Sequence, residues 1–487
     1  MHFISSPLGH ELTYNDVFMM PSRSSVPSRM DVDLTSNDGL SLGIPLVVSN
    51  MTAISGRRMA ETIARRGGIA ILPQDIPVDV LARTIKKVKS SPTVFETAVT
   101  VSPNDTIATA LTLMPKRAHN AVVAVDQDGR PLGIMTKAEA QNVDRFCQVH
   151  QVMFPVRTTV SSQTSPQEVF EALEENHEHL AIAIDDDRRL IGVMTKKGAL
   201  RSTIYRPALD ADGRLKVGCA IGISGDVQRR ALALLEAGAD VIVLDTAHGH
   251  QDRMIDALPK ALEARDAFEL VTEKRVPIVA GNVVTRGAVI DLIEAGADIV
   301  KVGIGPGAMC TTRMQTGVGR PQFSAVVECA AAAKDFGKSI WADGGIRYPR
   351  DVSLALAAGA GSVMIGSWFA GTHESTGEML QDSEGRYYKE SFGMASKRAV
   401  RNRTRGKTAF ERARAAIFEE GISSSKMYLD VERPGVEDLV DFITSGVRSS
   451  CTYAGASNLR ELAEYAVVGA QSPSGYDEGR PLNTSWR

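Results

Sequence analysis

Short apolar runs punctuated by glycine recur along this chain at the spacing of a repeated helix–strand unit. Glu236-Ala-Gly-Ala-Asp-Val-Ile-Val-Leu-Asp245 and Glu294-Ala-Gly-Ala-Asp-Ile-Val-Lys-Val-Gly303 share one layout, and Ala357-Ala-Gly-Ala-Gly-Ser-Val-Met-Ile-Gly366 echoes it. Each reads as a helix end closed by glycine, a short buried strand, and then a polar or glycine-bearing loop. Such units predict a parallel sheet covered by helices. Candidate strands fall at 46–50, 69–72, 217–221, 241–245, 278–282, 299–303, 340–343 and 363–366. Eight of them predict an α/β fold of the (β/α)8 TIM barrel type, with a doubly wound open sheet as the alternative. Asn50, Asp245, Asn282 and Asp343 stand at the carboxyl ends of their strands, the active face of a barrel, which favours the closed form.

A second repeat lies between the second and third strands. Leu132-Gly-Ile-Met-Thr136 and Ile191-Gly-Val-Met-Thr195 each follow an apolar strand, at 121–126 and 181–185, that itself follows a helical stretch. This layout resembles a tandem pair of CBS modules (a Bateman domain). The expected organisation is therefore barrel over 1–91, tandem CBS insert over 92–206, and barrel again over 207–487, including a flap at about 391–420 and a C-terminal tail. The resemblance implies a purine nucleotide effector, ATP or GTP. The ribose-binding aspartate of the motif is replaced by Glu139 in the first module and Gly198 in the second. An insert used for assembly without effector is the alternative.

Composition narrows the function classes. At 487 residues, 43% hydrophobic and 23% charged, the chain has the makings of two or three globular domains. A formal net charge of −3 gives no electrostatic support for nucleic-acid binding. No apolar run reaches the roughly 18 residues that cross a bilayer, and Met1-His-Phe-Ile-Ser-Ser-Pro lacks the pattern of a signal peptide. Five cysteines without a Cys-x-x-Cys read as free thiols in a reducing cytoplasm, and nine histidines show no metal-ligand spacing.

The candidate chemistry lies in Lys301-Val-Gly-Ile-Gly-Pro-Gly-Ala-Met-Cys310-Thr-Thr-Arg313. A strand runs into three alternate glycines, whose backbone a ligand can approach closely, and ends on one cysteine. A thiol there is either a nucleophile beside a bound ligand or a structural cysteine in a turn. The wording of the run, continuing to Gly317-Val-Gly-Arg-Pro-Gln322, resembles the catalytic loop of the IMP dehydrogenase/GMP reductase family. Leu12-Thr-Tyr-Asn-Asp-Val17, Ser49-Asn-Met51, Asp245-Thr-Ala-His-Gly249, Gly281-Asn-Val283, Ala342-Asp-Gly-Gly-Ile346 and Phe392-Gly-Met-Ala-Ser396 follow in the family's order.

The resemblance implies that Cys310 attacks carbon 2 of a purine monophosphate and forms a thioimidate. Thr312 and Glu420 would move protons beside it, with Glu419 as the neighbouring register for the acid. Asp343 would accept the ribose hydroxyls. Gly345, Gly366 and Ser367 would cradle phosphate, Gly393 and Met394 would contact the base, and Ser49 and Met51 complete the substrate side. Asp245, Thr246, Asn282 and Gly303 would serve the nicotinamide cofactor. A monovalent cation, K+, held by the carbonyls of Gly305, Gly307 and Cys310, is also implied. Ala308 and Ser391 depart from the phosphate-binding serine and tyrosine of many relatives. His248 and His250 are expected to make simple polar contacts rather than act as bases.

Two reactions are open within the family. Hydrolysis of the thioimidate by a dehydrogenase relies on an Arg-Tyr pair in the flap, and residues 396–414 contain arginines but no tyrosine. Ser49-Asn-Met51 and Arg448-Ser-Ser-Cys-Thr-Tyr453 also resemble the reductases, whereas Asp245-Thr-Ala-His-Gly249 and the CBS pair are commoner among dehydrogenases. The resemblance is nearest to CBS-bearing reductases of the actinobacterial type. The expected reaction is NADPH-dependent reductive deamination of GMP to IMP and ammonia, with NAD-dependent oxidation of IMP to XMP as the alternative. A homotetramer or homo-octamer is implied. A non-catalytic nucleotide sensor or filament protein is the competing class, and the presence of Cys310, Thr312, Asp343 and Glu420 argues against it.

Overall fold

In the computed structural model, which describes residues 1–3, 9–393, 408–415 and 424–481, eight parallel strands close into a barrel. They are β1 (Leu46–Val48), β2 (Ile69–Leu72), β3 (Gly218–Ile221), β4 (Val241–Asp245), β5 (Ile278–Val283), β6 (Ile299–Val302), β7 (Ser339–Asp343) and β8 (Ser362–Ile365). The expected closed barrel is thus found, and the open sheet is not. Closure comes from β8 against β1, with Val363 opposite Leu46. The long excursion between β2 and β3 leaves the wall unbroken, because Gly218 still pairs with Ile71.

Side chains alternate between the two faces of a strand, and here that alternation builds the barrel in layers. Val47, Ile71, Ala220, Val243, Val279, Ile299, Trp341 and Met364 form one inner cluster with Leu40 and Leu42. The alternate positions, such as Leu46, Leu72, Leu244, Ala280, Val300 and Ala342, face the helices and join the outer core. Trp341 is wholly buried, and its Nε1–H donates to Asp38 Oδ2 at 2.8 Å. Ser362 Oγ donates to the same oxygen at 2.6 Å, so the polar atoms inside the barrel are satisfied. One alternation further along the strands come Ser49, Asp245, Gly281, Lys301 and Asp343. A polar layer therefore caps the apolar one.

The excursion between β2 and β3 holds two similar units. Strands Ala121–Val125 and Pro131–Thr136 pair antiparallel, as do Leu180–Ile184 and Leu190–Thr195. Their registers match, Ala121 opposite Thr136 and Leu180 opposite Thr195, and both pairs carry an irregularity before the last residue of the first strand. Helices Ile107–Leu113 and Pro166–Glu175 precede these pairs, as the sequence repeat predicts. Each unit has its own apolar core, and a third cluster, including Val123, Ile134, Ile182 and Val193, joins the two sheets. Among the described residues no helix is long and apolar enough to cross a membrane.

A buried ionic network fastens this insert to the barrel. Glu61, on helix Arg57–Arg65 between β1 and β2, is fully buried. It accepts from Arg117 of the insert, from Arg57 at 2.5 Å, from Ser91 at 2.8 Å and from Thr97 at 2.9 Å. At the other end of the insert Arg201 pairs with Asp438 at 2.5 Å, Asp441 at 2.8 Å and Glu437 at 3.2 Å. These acids lie on helix Val436–Ala454, and Glu437 also pairs with Arg66 at 2.6 Å. Arginine suits both places because its planar fork serves several acceptors at once.

Burial works against the Glu61 charge, but Arg117, Arg65 and Arg57 outweigh it and hold its carboxyl at about 2, below the ordinary 4.5. The folded value lies below the unfolded one. This stabilisation is therefore complete above about pH 4.5 and is lost as the pH falls from 4.5 toward 2. Glu61→Gln keeps the shape and removes the charge, and it should lower stability by about 3 kcal/mol in urea titrations at pH 7. The gap between variant and wild type should narrow across the acid window. A gap unchanged from pH 7 to pH 3 would show that the Glu61 charge is not what holds the insert.

Candidate active site

A cleft of about 1220 Å³ opens over the carboxyl ends of the strands. A pocket for one small ligand occupies roughly 300–1000 Å³, so this cleft has room for two nucleotides. Of the residues expected from sequence, it brings together Ser49, Met51, Asp245, Thr246, Asn282, Gly307, Cys310, Thr312, Asp343, Gly345, Gly366, Ser367 and Gly393. Glu420, Glu419 and Met394 lie outside the described residues. Of the flap segment, only 391–393 and 408–415 are described, the latter as helix Ala409–Ala415 capped by reciprocal bonds between Thr408 and Glu411.

The glycine-rich loop leaves β6 and presents Cys310 at the cleft. Gly303 has φ +149° and is buried behind the wall, where a Cβ would overlap the carbonyl oxygen of Asp343. Only glycine fits so close a passage of two backbones. Its own carbonyl accepts from Asn282 Nδ2 at 2.6 Å. Gly303 thus supports the cleft through Asn282 and is not among the residues that line it. Gly305 packs against the Arg313 side chain.

Cys310 is exposed, and its Sγ donates to Thr312 Oγ1 at 3.2 Å. Its backbone N–H donates to the Gly307 carbonyl at 3.0 Å, which closes the turn. The buried cysteines are chemically different. Burial pushes the thiols of Cys329 and Cys451 up to about 12, and that of Cys219 also rises. A thiol held protonated in this way is a poor nucleophile. Among the described residues, Cys310 is the cysteine that lines the cleft.

Across the mouth of the barrel the polar layer is knitted together. Asp343 Oδ2 accepts from Asn282 Nδ2 at 3.0 Å and pairs with Lys301 Nζ at 2.7 Å. Asp245 Oδ1 pairs with the same Nζ at 2.8 Å, and Asp245 Oδ2 accepts from Asn50 Nδ2 at 3.0 Å. Gln322 Nε2 donates to the carbonyls of Val302 at 2.9 Å and Asp343 at 3.2 Å, fixing the ends of β6 and β7. Lys301 and Gln322 were not singled out from sequence as site residues. The available signal was a lone charge inside an apolar strand, Ile299-Val-Lys-Val302, at an inward-facing position.

At the opposite side of the cleft Gly366 precedes the short helix Ser367–Ala370. A Cβ on Gly366 would stand 3.1 Å from Met51 Sδ, so Met51 and the expected phosphate cradle are neighbours. Ser391 is buried, and its Oγ has no hydrogen-bond partner among the described residues. The hydroxyl does not line the cleft, although Gly393, two residues on, does. Of the two loop histidines, His250 Nε2 meets Asp291 Oδ2 at 2.7 Å, and neither His248 nor His250 lines the cleft.

In the insert, Glu139 Oε2 accepts the Thr136 N–H at 2.8 Å and its Oγ1–H at 2.6 Å, a local cap. Beside Gly198 the space for a side chain is taken by Glu96, whose Oε1 lies 2.8 Å from where a Cβ would be.

The model of the IMP dehydrogenase / GMP reductase domain matches residues 11–482. The chain is 55% identical to the GMP reductases of Mycobacterium bovis and Mycobacterium tuberculosis, over the full length of both partners. It is 36% identical to an inosine-5'-monophosphate dehydrogenase of Staphylococcus aureus, across 97% of this chain and 96% of that one. A crystal structure of a GMP reductase variant from Trypanosoma brucei in complex with guanosine 5'-monophosphate superposes with a TM-score of 0.67 at 30% identity, covering 98% of this chain and 99% of that one. With a catalytic-type loop, a closed barrel and a matched family domain along nearly its whole length, the chain belongs to the IMP dehydrogenase / GMP reductase family.

Proposed function

We propose that this protein is a GMP reductase, converting GMP to IMP and ammonia at the expense of NADPH. The observation that carries the reading is the full-length 55% identity to GMP reductases, in a chain whose cleft presents Cys310 beside Thr312. The purine monophosphate lies with its ribose on Asp343, its phosphate toward Gly345, Gly366 and Ser367, and its base beside Gly393. The Cys310 thiolate adds to carbon 2 of the purine, and the exocyclic amine leaves as ammonia after taking up a proton. The product is a thioimidate on Cys310, one difficult displacement divided into two steps. Thr312 Oγ1 is within reach of the sulfur and passes that proton, with Glu420 as its acidic partner.

The cofactor side is formed by Asp245, Thr246 and Asn282. The volume of the cleft and a carboxylate with lone pairs for ribose hydroxyls fit a dinucleotide there. When bound, NADPH supplies the hydride that carbon 2 needs as the carbon–sulfur bond breaks and the thiolate is released. The carbonyls of Gly305, Gly307 and Cys310 are a candidate set for K+, with one lone pair of Gly307 already committed to the Cys310 N–H. The insert at about 92–206 is a regulatory or assembly unit. The cap at Glu139 and the filled space at Gly198 disfavour ribose contacts at the positions where the CBS motif places them. A purine nucleotide effector would have to be held by other residues of the insert; a tetramer or octamer and a cytoplasmic location complete the reading.

Absorbance at 340 nm separates the two family reactions. Signal should fall with GMP plus NADPH and stay flat with IMP plus NAD; a rise in the second mixture would instead make the protein a dehydrogenase. Cys310→Ala should lower turnover by at least about 10³-fold while GMP still binds. Thr312→Val should reduce kcat by about 10²- to 10⁴-fold with little change in KM for GMP. Equal losses in binding and turnover would remove Thr312 from the proton path.

A further inference from the structure

We propose that Lys301 is a positioning residue that couples the two nucleotide sites, one ammonium holding the carboxylate of each. The inference rests on the assignment of Asp343 to the substrate ribose and Asp245 to the cofactor ribose. Lys301 leaves the middle of β6 and turns inward one alternation above Ile299. Its neighbour in register is Gly281 on β5. A Cβ on Gly281 would stand 2.7 Å from Lys301 Cβ, so the missing side chain on β5 makes room for the lysine stem.

The lysine side chain is 3% exposed. Its Nζ meets Asp245 Oδ1 at 2.8 Å, Asp343 Oδ2 at 2.7 Å and Asn282 Oδ1. Three acceptors for three N–H bonds leave the ammonium fully used. Burial alone would lower its proton affinity, but Asp245 and Asp343 outweigh burial and raise it, so the group is a permanent cation. With Lys301 and Asn282 both on Asp343 Oδ2, the hydroxyls of a substrate ribose are left to Oδ1. A ribose that orders Asp343 therefore also orders the ammonium, and through it Asp245. A ligand arriving second finds its carboxylate already fixed, and ordering it costs less. Coupling of this kind is reciprocal: each nucleotide tightens the other by the same factor.

A buried lysine that only supports the fold would weaken both ligands alike and leave that factor alone. Calorimetric titration of GMP with and without saturating NADP+, and of NADP+ with and without GMP, gives the factor directly. The wild type should show about tenfold tightening in both directions. Replacing GMP by 2'-deoxy-GMP in the wild type, where folding is not at issue, should cut the factor at least threefold, because a hydroxyl offered to Asp343 is removed. In Lys301→Met the factor should approach one. A factor undiminished with 2'-deoxy-GMP, or kept in Lys301→Met, overturns the proposal. If both nucleotides bind the wild type with a factor of one, this inference alone fails. If GMP does not bind at all, the reductase reading fails and takes the inference with it.

Discussion

Two carboxylates held close together at the mouth of a barrel repel each other, and between partly buried groups that repulsion is poorly screened. Lys301 removes the difficulty by standing between Asp245 and Asp343, and the rest of the polar layer is arranged around it. Asn50 fixes the far oxygen of Asp245, Asn282 bridges Lys301 to Asp343, and Gln322 holds the backbone behind Asp343. Removal of the cation would leave two partly buried charges uncompensated, a change that costs several kcal/mol in comparable buried pairs. The layer below can be dry and apolar because the layer above has its charges paired. Cavity, strand register and ligand carboxylates thus share one electrostatic origin.

The proposed nucleophile stands outside this polar layer. Cys310 is carried on a turn beyond the end of β6, exposed, and tied to its surroundings by one backbone bond to Gly307 and one side-chain bond to Thr312. A nucleophile that must form and then release a covalent bond benefits from a loop held at its base and free at its tip. Gly303 secures the base, since its backbone lies against the Asp343 carbonyl and its own carbonyl is gripped by Asn282. Asp343 and the turn that carries Cys310 therefore share a common footing. Displacement of one would be felt by the other.

Much of this was legible in the sequence, for physical reasons. Barrel strands are buried on both faces and read as apolar runs, so all eight could be placed, and their polar ends marked the active face. The repeat in the insert was legible because each unit needs its own apolar core. Lys301 escaped notice because its partners, Asp245 and Asp343, are brought to it only by barrel closure. The network joining Glu61 to Arg117 and Arg201 to Glu437 escaped for the same reason: helix Val436–Ala454 is more than two hundred residues from Arg201. Gly303 has a structural use that its loop does not announce. A glycine in a phosphate-type loop suggests an open backbone, yet here the missing side chain serves a contact between two strands.

The choice between reductase and dehydrogenase turns on what happens after the thioimidate forms. Both reactions need a thiol at carbon 2, a carboxylate for the ribose and a dinucleotide site, so the polar layer is equally suited to either. The dehydrogenase must then deliver an activated water to the same carbon, whereas the reductase needs only a hydride at a carbon already stripped of its amine. A general base for water has to enter after the cofactor leaves, which calls for a mobile side chain that can lose a proton near neutral pH. Arginine does not deprotonate in proteins, so a partner group must take the proton from the water. Residues 396–414 supply many arginines and no tyrosine to act as that partner. On chemical grounds the segment suits the grip of a polyanionic cofactor better than the activation of water.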